Sequence, residues 1–277
     1  MWRAYRPQKR LTFIGESIHG VSEFTRCKQN FARRFCDKSW VWIFEADQLG
    51  MALSHANQEP AGARLMNFPA VMRTKEMRDL LGWGIDAGIP CLGADIIPRR
   101  PLASFPAEWA ARRMRQAALF HQIRGRDGYA ARRDRYMARQ VRRIASHYAD
   151  APLLVMMHNM HIKRSGSREV SSLRLKSVRE HLAGDFSAQM ESIALFARQG
   201  CVCHNDLTPF TFAIDDPLSA EVFLTAAEPT LAVVACADMP SAHVAWHHAF
   251  ERETRPVGEQ YEWCAVFAQV AAPTFEL

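Results

Sequence analysis

The sequence predicts an α/β protein: a central, mostly parallel sheet with helices on both faces, from which a long arginine-rich helical excursion departs. Three observations carry this. Apolar runs of strand length recur, "LTFIG" (11–15), "WVWIFEA" (40–46), "IPCLGAD" (89–95), "PLLVMMH" (152–158), "GCVCH" (200–204), "TLAVVACAD" (230–238) and "WCAVFAQV" (263–270). Between the early ones lie helical patterns, at 22–38, 74–87, 106–148 and 172–198. The runs are continuous rather than alternating, which is how strands read when helices cover both faces of a parallel sheet.

The chain has 277 residues, 48% of them hydrophobic and 23% charged, enough for a sizeable core. With no internal repeat, low-complexity tract or linker, one domain over 1–277 is expected, with the helical excursion at about 104–148. The first apolar run stops at Gly15 and Glu16, too soon for a signal or membrane segment, so a cytoplasmic protein is expected. Seven scattered cysteines fit reduced thiols better than a disulfide framework, and "CVCH" lacks the second ligand pair of a structural zinc site.

The net charge of +6 comes largely from 112–143, where eleven arginines face only Asp127 and Asp134. Apolar residues interleave them (Met114, Ala117, Tyr129, Met137, Val141, Ile144), so the segment reads as amphipathic helix broken between Gly125 and Gly128. No helix-turn-helix, zinc finger or aromatic RNA-binding pattern accompanies the charge, and neither a nucleic acid nor a membrane partner is expected. An arginine of this helix, Arg133 above all, can instead reach a site and hold a carboxylate or a developing oxyanion.

Each early strand ends in chemistry. The first delivers Glu16 and His19, the second Glu45 and Asp47, the third Asp95, the fourth His158, Asn159 and His161. In open α/β sheets, sites form outside the carboxyl ends of the strands, so these side chains are expected on one rim. In "GESIHG" a carboxylate that accepts a hydrogen bond from the imidazole fixes which ring nitrogen is free, as a general base requires. The plainer alternative is a turn in which Glu16 and His19 fill space while Ser22 caps the next helix. In "HNMH" the second histidine falls on the turn after a strand; a divalent metal is the alternative use of the pair, though no His-Glu-x-x-His pattern is present. No Gly-x-Ser-x-Gly elbow appears, which disfavours a serine nucleophile.

These residues, in this order, resemble the erythromycin esterase family and its succinoglycan-biosynthesis-labelled relatives. The family's Gly-Glu-x-x-His-Gly with a nearby Glu-Phe is matched at Gly15, Glu16, His19, Gly20, Glu23 and Phe24, and its acidic strand end at Glu45. Its Thr-x-Glu-Met-like helix start falls at Thr74, Glu76 and Met77, and its Gly-x-Asp at Gly93 and Asp95. Its Arg-Asp-x-x-Met-Ala-x-Asn is matched at Arg133, Asp134, Met137 and Ala138, with Gln140 in place of Asn, and its His-Asn-x-His at His158, Asn159 and His161. The likeness is strong over 11–161 and weak beyond, where "SVREHLAGDF" replaces a glycine-containing pattern, so a macrolide is not the expected substrate.

The resemblance implies His19 as the base that activates water, Glu16 and Glu45 as orienting or water-binding carboxylates, and His158 and His161 as further catalytic imidazoles. Arg26, Asp95, Arg133 and Asn159 are expected to bind substrate. The expectation is a cofactor-free, non-serine hydrolase of an ester or lactone of a small molecule or natural product, acting without a covalent intermediate. A lyase, dehydratase or cyclase on the same rim is the nearest alternative, because a His base also takes protons from carbon. A haem- or metal-binding protein is the alternative from another class.

Overall fold

The computed structural model describes residues 1–2, 5–227 and 232–276. In chain order the strands are β1 (Leu11–Glu16), β2 (Val41–Asp47), β3 (Cys91–Asp95), β4 (Leu153–His158), β5 (Met190–Ala197), β6 (Gln199–Cys203), β7 (Pro209–Ala213), β8 (Val234–Ala235), β9 (Trp246–His247), β10 (Glu251–Arg252) and β11 (Trp263–Phe267). The helices are α1 (Ser22–Phe35), α2 (Gln48–Ala56), α3 (Ala61–Leu65), α4 (Lys75–Asp86), α5 (Ala107–Arg124), α6 (Tyr129–His147), α7 (Val178–Phe186), α8 (Ala220–Ala227) and α9 (Val257–Gln260).

Seven strands form one sheet in the order β3-β2-β4-β1-β5-β11-β8, parallel except for β8 at its edge. Alternate residues of each strand feed opposite layers, as the period of two dictates. On one face Ile14, Trp42, Phe44, Leu154 and Met156 pack against Phe24, Cys27 and Phe31 of α1 and Met77, Leu80 and Leu81 of α4. On the other, Leu11, Phe13, Val41, Ile43, Leu153 and Val155 meet Met137, Ala138 and Val141 of α6 and Val178 and Leu182 of α7. The arginine-rich excursion is the pair α5 and α6, broken as expected: Gly128, with φ of 72°, closes the turn between them.

Three expectations need correction. The helical pattern at 172–198 yields only α7; "MESIALFA" is instead β5, fully buried beside β1 and β11. Its apolar residues fit a strand covered on both faces as well as a helix stripe, and the tertiary setting decides. "GCVCH" does not join the sheet but pairs antiparallel with β7 in a separate hairpin. Of "TLAVVACAD", Thr230 and Leu231 lie outside the described residues, and only Val234 and Ala235 form a strand.

Candidate active site

Strand order sets the layout of the rim. Because β3, β2, β4 and β1 are consecutive neighbours, their carboxyl ends present Asp95, Glu45, His158 and Glu16 as a row, with Glu16 in register with His158. All four are buried.

The two glycines of "GESIHG" explain its backbone. A Cβ on Gly15 would lie 2.2 Å from Asn159 Oδ1, and Gly20, with φ of 72°, faces the Val71 carbonyl, 2.2 Å from where a Cβ would sit. The first motif is therefore packed against the "HNMH" turn, and the second glycine takes a left-handed conformation that other residues adopt only at a cost. Ser17 N–H donates to the Leu195 carbonyl, while the Ser17 carbonyl accepts from the His248 N–H at 3.0 Å and from His158 Nε2 at 2.9 Å.

His19 Nδ1 lies 2.8 Å from Glu16 Oε1, and its Nε2 lies 3.8 Å from Glu45 Oε1. The other Glu16 oxygen contacts Lys28 Nζ, 1% exposed on the apolar face of α1. Burial works to raise the Glu16 carboxyl, but the Lys28 ammonium and the His19 imidazole outweigh it and hold the group below the usual carboxylate range. Glu16 is thus ionised and accepts the Nδ1–H, which leaves Nε2 as the basic nitrogen.

Glu45 sits between three donors. Its Oε2 accepts from the His158 N–H at 2.9 Å; its Oε1 lies 2.6 Å from Arg133 Nη2 and 3.3 Å from His161 Nε2. Burial alone would raise this carboxyl, but His161, Arg133 and His19 pull it well below its ordinary value. Arg133 also grips Asp95 bidentately, with Nε at 3.0 Å and Nη2 at 2.8 Å. Burial disfavours a charged His161, yet Asp134, 2.9 Å from Nδ1, and Glu45 push it up to about 10. With His161 protonated, its Nε2–H points to Glu45 rather than accepting from Arg133 Nη1, 3.4 Å away.

The remaining expected residues have other placements. His158 has both ring nitrogens engaged with backbone, Nε2 with the Ser17 carbonyl and Nδ1 with the Met160 N–H at 3.3 Å. Burial and the neighbouring His248, His19 and His247 hold it neutral, well below the ordinary histidine value. Asn159 is fully buried and donates to the Leu195 carbonyl, and Arg26 pairs with Glu76 across α1 and α4 at 3.0 Å. Neither lines the rim. Ser22 does not cap α1; Val21 occupies that position, and the hydroxyl donates to Glu76 Oε1. Asp47 caps α2 and pairs with Arg113 at 2.7 Å, a structural use of the second carboxylate of β2.

A cleft of about 230 Å³ opens beside His19, lined by Ile18, His19, Cys203, His204, Asn205, Phe210, His248 and Phe250. Its walls come from the β6–β7 and β9–β10 hairpins, which no motif or periodicity in the chain places here. Among the described residues no group of three or more His, Cys, Asp or Glu side chains is arranged to hold a metal ion, and no helix is long and apolar enough to cross a membrane.

Fold and rim together define an α/β protein with a carboxylate-held histidine at the carboxyl ends of its parallel strands. The erythromycin esterase family profile matches residues 95–271, more than half of the chain, so the protein belongs to that family. The matched region starts at Asp95, takes in the Arg-Asp-x-x-Met-Ala and His-Asn-x-His segments and runs on beyond residue 161, where the motifs themselves carry little likeness. Among solved structures, a Bacillus cereus protein aligns with a TM-score of 0.73 at 14% identity, over 96% of this chain and 90% of its own. A succinoglycan biosynthesis protein aligns with a TM-score of 0.76 at 11% identity, over 97% and 90%. A variant of the erythromycin esterase EreC in its open conformation aligns with a TM-score of 0.66 at 12% identity, over 96% and 92%. At these identities the likenesses establish the fold. No curated protein matches the chain in sequence.

Proposed function

We propose that the protein hydrolyses a carboxylic ester or lactone of a small molecule by direct attack of water, with His19 as general base. The observation that carries this is the pair of contacts on one imidazole: Nδ1 held by ionised Glu16, Nε2 beside Glu45 at the edge of the cleft. A water about 2.8 Å from both His19 Nε2 and Glu45 Oε1 closes a triangle on their 3.8 Å separation. Both its hydrogens are then directed at acceptors, and a lone pair is left for the substrate.

In the step, Nε2 takes one water proton as the oxygen bonds to the carbonyl carbon and the C=O electron pair moves to oxygen. Collapse of the tetrahedral species breaks the bond to the leaving oxygen, which receives the proton from the imidazolium. Glu16 and Glu45 flank that imidazolium and stabilise its charge. His161, Arg133 and Asp95 fix Glu45, and His158 positions Ser17 and Glu45 through backbone contacts, a positioning role rather than a chemical one. Ser17 and Ser22 are buried and do not line the cleft, which favours a non-serine route.

His19→Asn is expected to remove turnover by about 10²- to 10⁴-fold with the fold intact. Hydrolysis in ¹⁸O-water should place one label in the acid product, with no acyl-enzyme mass at any stage. An acyl adduct, or unchanged kcat in folded His19→Asn, overturns the mechanism. Activity should also persist in EDTA; loss with rescue by one divalent metal would reassign the histidines.

A further inference from the structure

His248 opens the three-residue connection between β9 and β10, whose register pairs His247 with Glu251. His248 and Ala249 both lie in the left-handed region, with φ of 51° and 68°, and the Phe250 N–H closes the turn on the His247 carbonyl at 3.1 Å. Positive φ at consecutive turn positions is normally supplied by Asn, Asp or Gly. Two side-chain-bearing residues here store backbone strain, and such strain persists only where the surroundings enforce it.

The surroundings do so. His247, fully buried, contacts the Glu253 carboxylate, which also accepts from Tyr261 Oη at 3.0 Å and lies 3.1 Å from buried Lys163. Above this base the His248 N–H is tied to the Ser17 carbonyl of the His19 loop. The His248 ring stacks on His158, centroids 4.5 Å apart at 18°, while the His19 ring meets the same His158 edge-on at 5.0 Å. Two imidazoles therefore flank a third, and both line the cleft. Among the described residues the His248 ring nitrogens have no hydrogen-bond partner; burial, then His247 and His19, lower the group to about 4, so the ring is neutral and carries one N–H.

Lys28 is committed to Glu16, and Arg133 to Glu45 and Asp95. In the same lining the His204 ring stacks on Phe210, centroids 4.1 Å apart at 22°, and Phe250, 58% exposed, stacks beside His248 at 6.0 Å. The flat ring faces of His204, Phe210 and Phe250 in the lining favour a planar group, and the volume is below the range usual for drug-sized ligands.

We propose that His248 is a catalytic residue that donates its ring N–H to the carbonyl oxygen of a compact aryl ester, whose ring lies against His204, Phe210 and Phe250. As water adds to the carbonyl carbon, the charge that develops on the oxygen strengthens this hydrogen bond; His248 gains and loses no proton. The inference rests on the ester-hydrolysis reading but is testable without turnover.

The test is binding of phenyl methylphosphonate, a tetrahedral anionic analogue of phenyl acetate, by calorimetry, alongside phenyl acetate hydrolysis. The wild-type protein should bind it at least tenfold more tightly than ethyl methylphosphonate. His248→Phe, which keeps the stack, and His248→Gly, which relieves the turn, should each lose at least tenfold in that affinity and about 10²-fold or more in kcat for phenyl acetate. Unchanged affinity in both folded variants overturns the role of His248, and equal affinity for the ethyl compound overturns the aryl assignment. Tight, His248-dependent binding without hydrolysis of any ester leaves the site standing and removes the esterase reading.

Discussion

His19 Nδ1 lies 2.8 Å from Glu16 Oε1, and the opposite oxygen of Glu16 is in contact with Lys28, so one buried carboxylate serves both a basic imidazole and a buried ammonium. The arrangement makes the orientation of His19 depend on a residue of α1 that never reaches the cleft. Glu16→Gln should lower kcat by about 10²- to 10⁴-fold, because the amide no longer selects the Nδ1–H form. It should also destabilise the fold by about 3–5 kcal/mol, since Lys28 is left buried and uncompensated. Glu16→Gln with Lys28→Met should recover most of that stability and none of the activity, by urea titration and steady-state kinetics. Recovery of activity in the double variant would mean that Glu16 acts only as a partner for Lys28.

Arg133 should not tolerate lysine. Its planar fork meets Asp95 with two nitrogens and Glu45 with one of the same pair, a geometry that a single ammonium cannot reproduce. Arg133→Lys is expected to cost about 2–4 kcal/mol, by analogy with a partly broken buried ion pair. It should also lower kcat, because Glu45 loses its fixed position beside His19. Wild-type stability and kcat in Arg133→Lys would show Arg133 to be a surface contact.

Much of this rim is legible in the sequence because strand ends announce themselves. "LTFIG", "WVWIF" and "PLLVMM" stop at ionisable residues, and a parallel sheet brings consecutive carboxyl ends together. What strand ends cannot state is orientation. His158 reaches the rim as expected, but its ring turns onto backbone groups, and Asn159 turns inward to pack on Gly15. Lys28 does carry a signal: a lysine one residue after Cys27 and three before Phe31, on a helix face otherwise apolar, must be paired. The cleft walls carry no signal of where they sit. "GCVCH" reads as a strand, but β6, β7 and the turn at His248 are brought to the site by long-range packing, and "HHAF" has no periodicity that marks a left-handed turn.

Gly20→Ala should damage the site from a distance. The left-handed φ of Gly20 costs an L-residue about 1–2 kcal/mol. The added methyl also falls 2.2 Å from the Val71 carbonyl, a backbone atom that cannot rotate away. The expected loss is at least about 2 kcal/mol in thermal or chemical denaturation, with reduced kcat because the same turn carries His19. A Gly20→Ala protein as stable as wild type would show that this turn is plastic and does not fix His19.

His161 should give the fold a stability that alkali removes. Its neighbours are Glu45 from β2, Asp134 and Arg133 from α6, and the His158 ring; the two carboxylates prevail over burial and raise it from the ordinary histidine value to about 10. A folded-state value above the unfolded one means that the native protein binds this proton more tightly. The contribution is therefore fully present below about pH 6.5, shrinks as pH rises, and is gone above about pH 10. At about 1.4 kcal/mol for each pH unit between those two values, it amounts to a few kcal/mol. Urea titrations at pH 6.5 and pH 10 should show the wild-type protein losing this much more stability than His161→Gln, whose amide cannot titrate. Other groups titrate over the same range in both proteins, so the difference between the two isolates His161. Parallel losses in the two proteins would mean that His161 is neutral in the native state, and would leave Glu45 held by Arg133 and the His158 N–H alone.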